Sequence, residues 1–229
     1  MILAFETSAK AASVALLEQG VLLGESYQNT GLTHSQTLLQ MAEQLLGTCG
    51  KTTEDVTAVA VAAGPGSFTG VRIGVAAAKG FAWGRELPCY GVSTLEAMAR
   101  NLGVWEGTVV PTMDARRSQT YTAIFRAEGG KLSRLIEDQA ISFAELGEKL
   151  NYCKKPIFLV GDGAELCYNT LKEVVPGLVL TPEHRRHQRA AGVALVAEAM
   201  LGMPGDGASL APNYLRLSQA ERERLEKQK

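Results

Sequence analysis

Three acidic side chains follow predicted strands and have the chemistry of a phosphoryl-transfer site. Glu6 follows the apolar run "ILAF", Asp114 follows "TVVPTM", and Asp162 follows "PIFLVG". Carboxylates at such positions hold Mg²⁺ or orient water in two-lobed ATPases. No neighbouring residues complete a kinase set, so a structural role at the strand ends stays open beside the nucleotide-site interpretation.

The second candidate is a glycine-rich run, "GPGSFTGVR", at residues 64–72. It follows an apolar strand and opens a helix, whose free N–H groups can bind an anion. It lacks the lysine of a P-loop and misses the dinucleotide fingerprint by one residue. The run therefore predicts either an anion site or a tight structural turn. Its signature residues are Gly64, Pro65, Gly66, Ser67, Phe68, Thr69, Gly70 and Arg72, with Ser67 as the expected N-cap.

Histidines, arginines and cysteines supply the remaining candidates. His34 begins a predicted helix, whereas His184 and His187 lie in a basic loop with Arg185, Arg186 and Arg189. That loop is either a solvated surface or a contact with RNA phosphates or a partner. No further ligands stand near the His-x-x-His pair, so no metal site is predicted. The four cysteines, Cys49, Cys89, Cys153 and Cys167, show neither disulfide nor zinc spacing.

Composition narrows the class of protein. The chain has 229 residues, of which 46% are hydrophobic and 21% charged, with a formal net charge of -1. This balance is ordinary for a globular protein and disfavours an independent nucleic-acid binder. No apolar run is long enough to span a bilayer, and no signal-peptide pattern opens the chain. We expect a cytoplasmic protein without a membrane partner.

The predicted elements that position these residues occur twice in the same order. The first half contains three short strands, a helix, a strand and a second helix, with the glycine run between that strand and the second helix. The second half repeats the pattern. Duplicated βββαβα units are the plan of the actin-like ATPase (ASKHA, ribonuclease H-like) α/β fold. We predict subdomains at residues 1–103 and 104–229, with the C-terminal segment packing back on the first.

The two helices of the first subdomain also predict either internal packing or a partner surface. The helix after the glycine run is mainly apolar, with small residues four apart at Gly70, Gly74 and Ala78. The helix at 34–46 is amphipathic, and apolar faces left exposed usually mark partners. The predicted partner surface consists of His34, Leu38, Met41, Leu45, Val71, Gly74, Val75 and Ala78.

Six stretches together resemble the TsaB (YeaZ) family nearly end to end: "ILAFETS", "GPGSFTGVRIG", "ELPCYGVSTLEAMA", "MDARRSQTY", "LVGDGA" and "NYLR". The most specific is GPGSFTG-x-R. The resemblance implies the actin-like fold and a role in forming threonylcarbamoyladenosine at position 37 of tRNAs that read ANN codons. It also implies a metal-containing transferase, TsaD, and a small ATPase, TsaE, as partners, a possible homodimer, and tRNA contact only through the complex.

The resemblance further implies that this chain is not the catalyst. The transferase paralogue carries His-His-Met-Glu-Gly-His, with a metal-binding His-x-x-x-His pair, where this chain has "VSTLEAM". Thr94 and Met98 replace those histidines, so we expect no catalytic residue, no metal and no cofactor. The glycine run is then retained as architecture. The alternatives are a small kinase or ATPase that uses Glu6, Asp114 and Asp162, and an active or inactive peptidase homologue.

Overall fold

The computed structural model describes residues 1–103, 106–205 and 207–216. The first sheet contains β1 (Ile2–Glu6), β2 (Ala12–Glu18), β3 (Val21–Gln28), β4 (Ala58–Gly64) and β5 (Cys89–Ser93). Its strand order is β3-β2-β1-β4-β5. The first three strands form an antiparallel meander, and β4 and β5 run parallel to β1.

The second sheet repeats this plan strand for strand. It contains β6 (Gly107–Arg116), β7 (Gln119–Glu128), β8 (Lys131–Ser142), β9 (Ile157–Val160) and β10 (Leu178–Leu180). Its order is β10-β9-β6-β7-β8, again an antiparallel meander with two parallel strands beside it. The predicted duplication of an α/β unit is therefore confirmed.

Four helices cover the outer faces of the two sheets. They are α1 (His34–Thr48) and α2 (Phe68–Trp83) on the first sheet, and α4 (Phe143–Leu150) and α5 (Ala164–Leu171) on the second. The alternation of the strands decides which side chains meet these helices, since neighbouring residues point to opposite faces. Leu3 and Phe5 of β1 pack under α1 and α2, whereas Ile2 and Ala4 point to the interior between the sheets.

The last long helix of each half lies between the sheets and packs on the sheet of the other half. α3 (Thr94–Leu102) places Met98 against Phe125 of the second sheet. α7 (Ala190–Glu198) covers Ala4 of the first sheet and follows the one-turn helix α6 (Glu183–Arg186). The two helices touch where a Cβ on Gly192 would overlap the carbonyl of Ala97. The halves are thus interlocked rather than joined end to end.

The C-terminal strap, residues 207–216, returns to the first subdomain. The amide of Asn213 donates to the carbonyl of Ala63 at 2.6 Å, and Lys79 Nζ donates to the carbonyls of Ala208 and Leu210 at 3.0 Å. Residues 217–229, whose sequence is rich in charged residues, lie outside the described residues. All four cysteines are free, and no helix in the described ranges is long and apolar enough to cross a bilayer.

Candidate functional site

The signature turn, residues 64–72, connects β4 to α2 and packs against the loop after β1. Ser67 caps α2, because its Oγ accepts from the amide of Gly70 at 3.3 Å. The amide of Ser67 itself donates to the carbonyl of Ser8 at 2.7 Å. A Cβ on Gly66 would overlap the Ser8 backbone, and Gly64, with φ of +119°, faces the carbonyl of Asn213. The glycines therefore let two chain segments approach the turn closely.

An aromatic contact fastens the strap onto this turn. The rings of Phe68 and Tyr214 stack with centroids 4.4 Å apart and planes 13° from parallel. Arg72 Nε donates to the Tyr214 hydroxyl at 2.6 Å, and its guanidinium lies 5.8 and 5.5 Å from the two ring centroids. Two signature residues, Phe68 and Arg72, thus hold the strap.

Glu6 lies at the end of β1 with no exposed surface. Its Oε1 accepts from the amide of Ser8 at 2.6 Å, whereas Oε2 has no hydrogen-bond partner among the described residues. Burial raises the pKa of Glu6 to about 7 against the opposing hydrogen bonds from Ser8, and the charge of Asp162 raises it further. The carboxyl is consequently half-protonated near neutral pH.

The other two acids approach Glu6 from the second half of the chain. Asp162 Oδ1 accepts from Gln188 Nε2 at 2.7 Å, and burial raises the pKa of Asp162. Asp114 is exposed, and its Oδ1 accepts from the amide of Arg116 at 2.7 Å. Asp162 thus lies within electrostatic range of both Glu6 and Asp114. Among the described residues, however, no group of three or more histidines, cysteines or acids is arranged to hold a metal ion.

Thr94 and Met98, which the resemblance aligns with metal-binding histidines of the transferase, do not suit a metal. Thr94 begins α3 behind the cap residue Ser93, is fully buried, and leaves its hydroxyl without a partner among the described residues. Met98 is 1% exposed and packs in the apolar core of the second sheet. A threonine hydroxyl and a thioether are poor ligands for a hard catalytic metal. The donor set therefore does not fit the ion that the resemblance assigns to the transferase.

The predicted partner surface needs a correction. Six of its apolar residues fill the core under the first sheet: Leu38, Met41, Leu45, Val71, Val75 and Ala78. Gly74 also points inward, since a Cβ there would overlap the Thr7 hydroxyl, and His34 is half-buried with its Nε2 2.9 Å from the Ala9 carbonyl. These side chains contact their own subdomain, so choosing them for a partner contact was wrong.

The opposite side of the same helices is the exposed one. We name it the outer helical face: exposed Leu39 of α1 with exposed Ala76, Gly80 and Trp83 of α2 and the partly buried Ile73 and Ala77 between them. Leu39 is 56% exposed and Trp83 78%, and open space surrounds Gly80. The sequence carried a signal for this face, because residues 73, 76, 77 and 80 also recur at helical spacing.

Most of the basic side chains in the loop at 183–189 pair with carboxylates of the same chain. Arg186 lies 3.0 Å from both Glu165 and Glu183, and Arg189 lies 2.7 Å from Glu25. His187 Nε2 is 2.7 Å from Glu183. His184 and Arg185 are exposed at the surface. Two of the three arginines predicted as phosphate contacts are therefore occupied by carboxylates.

The chain is similar to known proteins along its whole length. The family model TsaD, tRNA N6-adenosine threonylcarbamoyltransferase, matches residues 28–223. The tRNA threonylcarbamoyladenosine biosynthesis protein TsaB of Bacillus subtilis is 33% identical over 100% of this chain and 99% of its own. Residues that the two share include more than the glycine run, since the match covers both halves.

Solved structures are also similar to this chain. YeaZ from Pseudomonas aeruginosa is 26% identical, with a TM-score of 0.75 over 93% of this chain and 99% of its own. The ethanolamine utilization protein EutJ of Carboxydothermus hydrogenoformans, 14% identical, has a TM-score of 0.51 over 84% of this chain and 88% of its own and shares the fold alone. The actin-like fold predicted from the sequence is confirmed. The chain therefore belongs to the TsaB (YeaZ) branch of the TsaD-type family.

Proposed function

We propose that this chain is a non-catalytic subunit in the synthesis of threonylcarbamoyladenosine at position 37 of tRNAs that read ANN codons. One observation carries the proposal. The similarity to a TsaB protein named for tRNA threonylcarbamoyladenosine biosynthesis covers 99% of that protein. A match that spans this chain and nearly all of that protein supports the same role for both.

The non-catalytic role follows from side-chain chemistry at the start of α3. By the family resemblance, Thr94 and Met98 stand where the transferase has its metal-binding histidines, and Met98 is packed in the core. The acids offer no substitute, because Glu6 is fully buried, with one oxygen bonded to the Ser8 amide. The fold of the transferase is retained while the donors that its chemistry needs are missing.

The partner we propose is a TsaD-type transferase, bound through the outer helical face. The TsaD family model spans α1 and α2 of this chain, so both proteins present an equivalent helix pair. Related subunits pair readily through equivalent elements about a pseudo-two-fold axis. Ala76 and Gly80 let a second helix come close, and exposed Trp83 and Leu39 supply apolar area. A second copy of this chain competes for the same face, and a TsaE-type ATPase joins the pair.

The test is product formation on unmodified tRNA, with the modified nucleoside read by mass spectrometry. Threonylcarbamoyl-AMP is supplied to this chain alone, to the transferase subunit alone, and to both together with the TsaE-type ATPase. Product only when both subunits are present supports the proposal. Product from this chain alone overturns it and makes Glu6, Asp114 and Asp162 the active-site candidates.

A further inference from the structure

Four arginines from three distant parts of the chain meet along the strap. Arg72 lies in α2 and bonds Tyr214 of the strap at 2.6 Å. Two residues further along, Arg216 Nη1 donates to the carbonyl of Ala115 at 2.5 Å. This bond ties the strap to the β6–β7 hairpin, which carries Arg116 and Arg117. We name these four side chains, Arg72, Arg116, Arg117 and Arg216, the arginine rim.

The charges of the arginine rim are not neutralised by acids. Among residues 1–103, 106–205 and 207–216, none of the four guanidinium groups takes part in an ion pair. Four other described arginines, Arg85, Arg134, Arg186 and Arg189, do form ion pairs; Arg134, for example, contacts Glu96 at 2.7 Å and Asp138 at 2.5 Å. In a chain of net charge -1, the rim is therefore a local positive patch.

Asp114, adjacent to the hairpin arginines in sequence, forms no ion pair with the rim in the described part of the chain. Asp114 directs its Oδ1 to the backbone amide of Arg116 at 2.7 Å, where it fixes the start of the hairpin turn. Arg116 and Arg117 are both exposed, with φ angles of 61° and 54°. Left-handed backbone at these residues gives the turn a defined shape that holds the two side chains outward. The positive charges are consequently presented on a fixed hairpin.

An aromatic surface lies at the centre of the rim. Tyr214 stacks on Phe68 and is still 39% exposed, with Arg72 beside both rings. Exposed tyrosines flanked by arginines are typical of sites that bind RNA, because bases stack on the ring and guanidinium groups bond phosphates. A protein partner with an acidic surface would use the charges and not the ring.

We propose that the arginine rim is an RNA-binding surface that contacts the phosphodiester backbone of the tRNA substrate. The inference rests on the proposed function for the identity of the RNA, and on the rim itself for the contact. The arginine rim differs from the basic loop at 183–189, in which Arg186 and Arg189 are paired with carboxylates. Arg116, Arg117 and Arg216 lie on the hairpin and strap, whereas Arg72 lies in α2 one turn before Ala76, so RNA at the rim would lie beside a partner on the outer helical face.

The experiment measures tRNA binding by fluorescence anisotropy, with the full-length chain alone and paired with the transferase subunit. The variant carries Arg116→Gln and Arg117→Gln, which keep the hairpin's backbone requirements and remove two charges. The control carries Lys131→Gln and Lys172→Gln, which remove the same charge from exposed sites elsewhere. A third variant, Arg116→Lys with Arg117→Lys, keeps the charge. Thermal melting and size-exclusion chromatography of each sample report folding and partner pairing.

The rim variant is expected to bind tRNA roughly ten-fold more weakly, with a salt slope smaller by about two. The control and the lysine variant keep their affinity. Equal affinity and slope for the rim variant and the control overturn the inference. So does displacement of tRNA by an equal concentration of ATP, which would identify a nucleotide site. Loss of tRNA binding with pairing intact supports the rim, whereas a wild-type chain that fails to pair or support product formation contradicts the proposed function instead.

Discussion

The ring of Phe68 in the signature turn stacks on the ring of Tyr214 in the strap, with 4.4 Å between centroids. This contact joins the most specific motif of the chain to its C-terminal segment. It also explains why the motif contains an aromatic residue and an arginine, since Arg72 bonds the same tyrosine. The motif therefore encodes a docking point for the strap as well as a turn.

Removing the tyrosine ring should release the strap. We expect Tyr214→Ala to lower the free energy of unfolding by about 1–2 kcal/mol, the size of an aromatic stack with its associated contacts. The Asn213 amide, which bonds Ala63, should exchange its hydrogen faster. Urea unfolding and hydrogen exchange measure both effects. Tyr152→Ala is the control, because Tyr152 is 90% exposed, and equal exchange in the two variants would contradict the docking role.

A charge on the outer helical face should abolish partner pairing without unfolding the chain. Gly80→Glu places a carboxylate in open space on α2, and the change from glycine stabilises a helix by up to about 1 kcal/mol. We expect an unchanged or raised melting temperature and no complex with the transferase subunit on size-exclusion chromatography. Gly74→Glu should instead unfold the subdomain, because the new side chain meets Thr7 in the core. Full pairing by Gly80→Glu would exclude this face.

Stability should fall as the pH rises through the titration of Glu6. Its folded-state pKa is raised to about 7 from an ordinary value of 4.5, so the folded state holds this proton more tightly than the unfolded state. The contribution is fully present below about pH 4.5 and is lost by about pH 7, a difference of up to about 3 kcal/mol. Glu6→Gln should remove it, which urea unfolding of both proteins from pH 5 to pH 8 would measure. Parallel pH profiles would refute the prediction.

The crossing of α3 and α7 should tolerate no added methyl group. A Cβ on Gly192 would overlap the carbonyl of Ala97, so Gly192→Ala forces the two central helices apart. We expect a loss of about 1–3 kcal/mol in the free energy of unfolding, as for overpacked cores. Gly47→Ala in α1 is the matched control, because nothing surrounds that position, and it should stabilise the chain slightly. Equal effects of the two substitutions would show that the crossing is loose.

The duplicated fold was predictable because local sequence signals mark the elements of each unit. Alternating apolar runs, glycine turns and capped helices mark the elements, and their order repeats. Ser67 acts as the expected cap, accepting from the amide of Gly70, and Ser142 caps α4 in the same way, accepting from the amide of Glu145. The absence of histidines at Thr94 and Met98 was also visible without coordinates, since it depends on residue type alone.

The inward side of α2 was not predictable, and the reason is physical. The helix is apolar or small on nearly every side, so its sequence does not separate Gly74 and Ala78, which face the core, from Ala76 and Gly80, which face solvent. Which side of α2 faces the core is determined only by its packing on the first sheet. The arginine rim was hidden for another reason. Its members come from residues 72, 116, 117 and 216, and the hairpin turn between β6 and β7 lacks the Asn-Gly signal typical of such turns.

Because α3 and α7 each pack on the sheet of the other half, the order in which the ribosome synthesises the chain affects its folding. The inner face of the first sheet, including Ala4 and Ala60, stays largely uncovered until α7 emerges near residue 198. Contacts between such distant parts of a chain form late and slowly. In a chain cut after residue 103, only α3, through Ala97, packs on this inner face, which lacks the larger cover that α7 provides. We therefore expect the N-terminal half to complete its folding only after α7 has been synthesised.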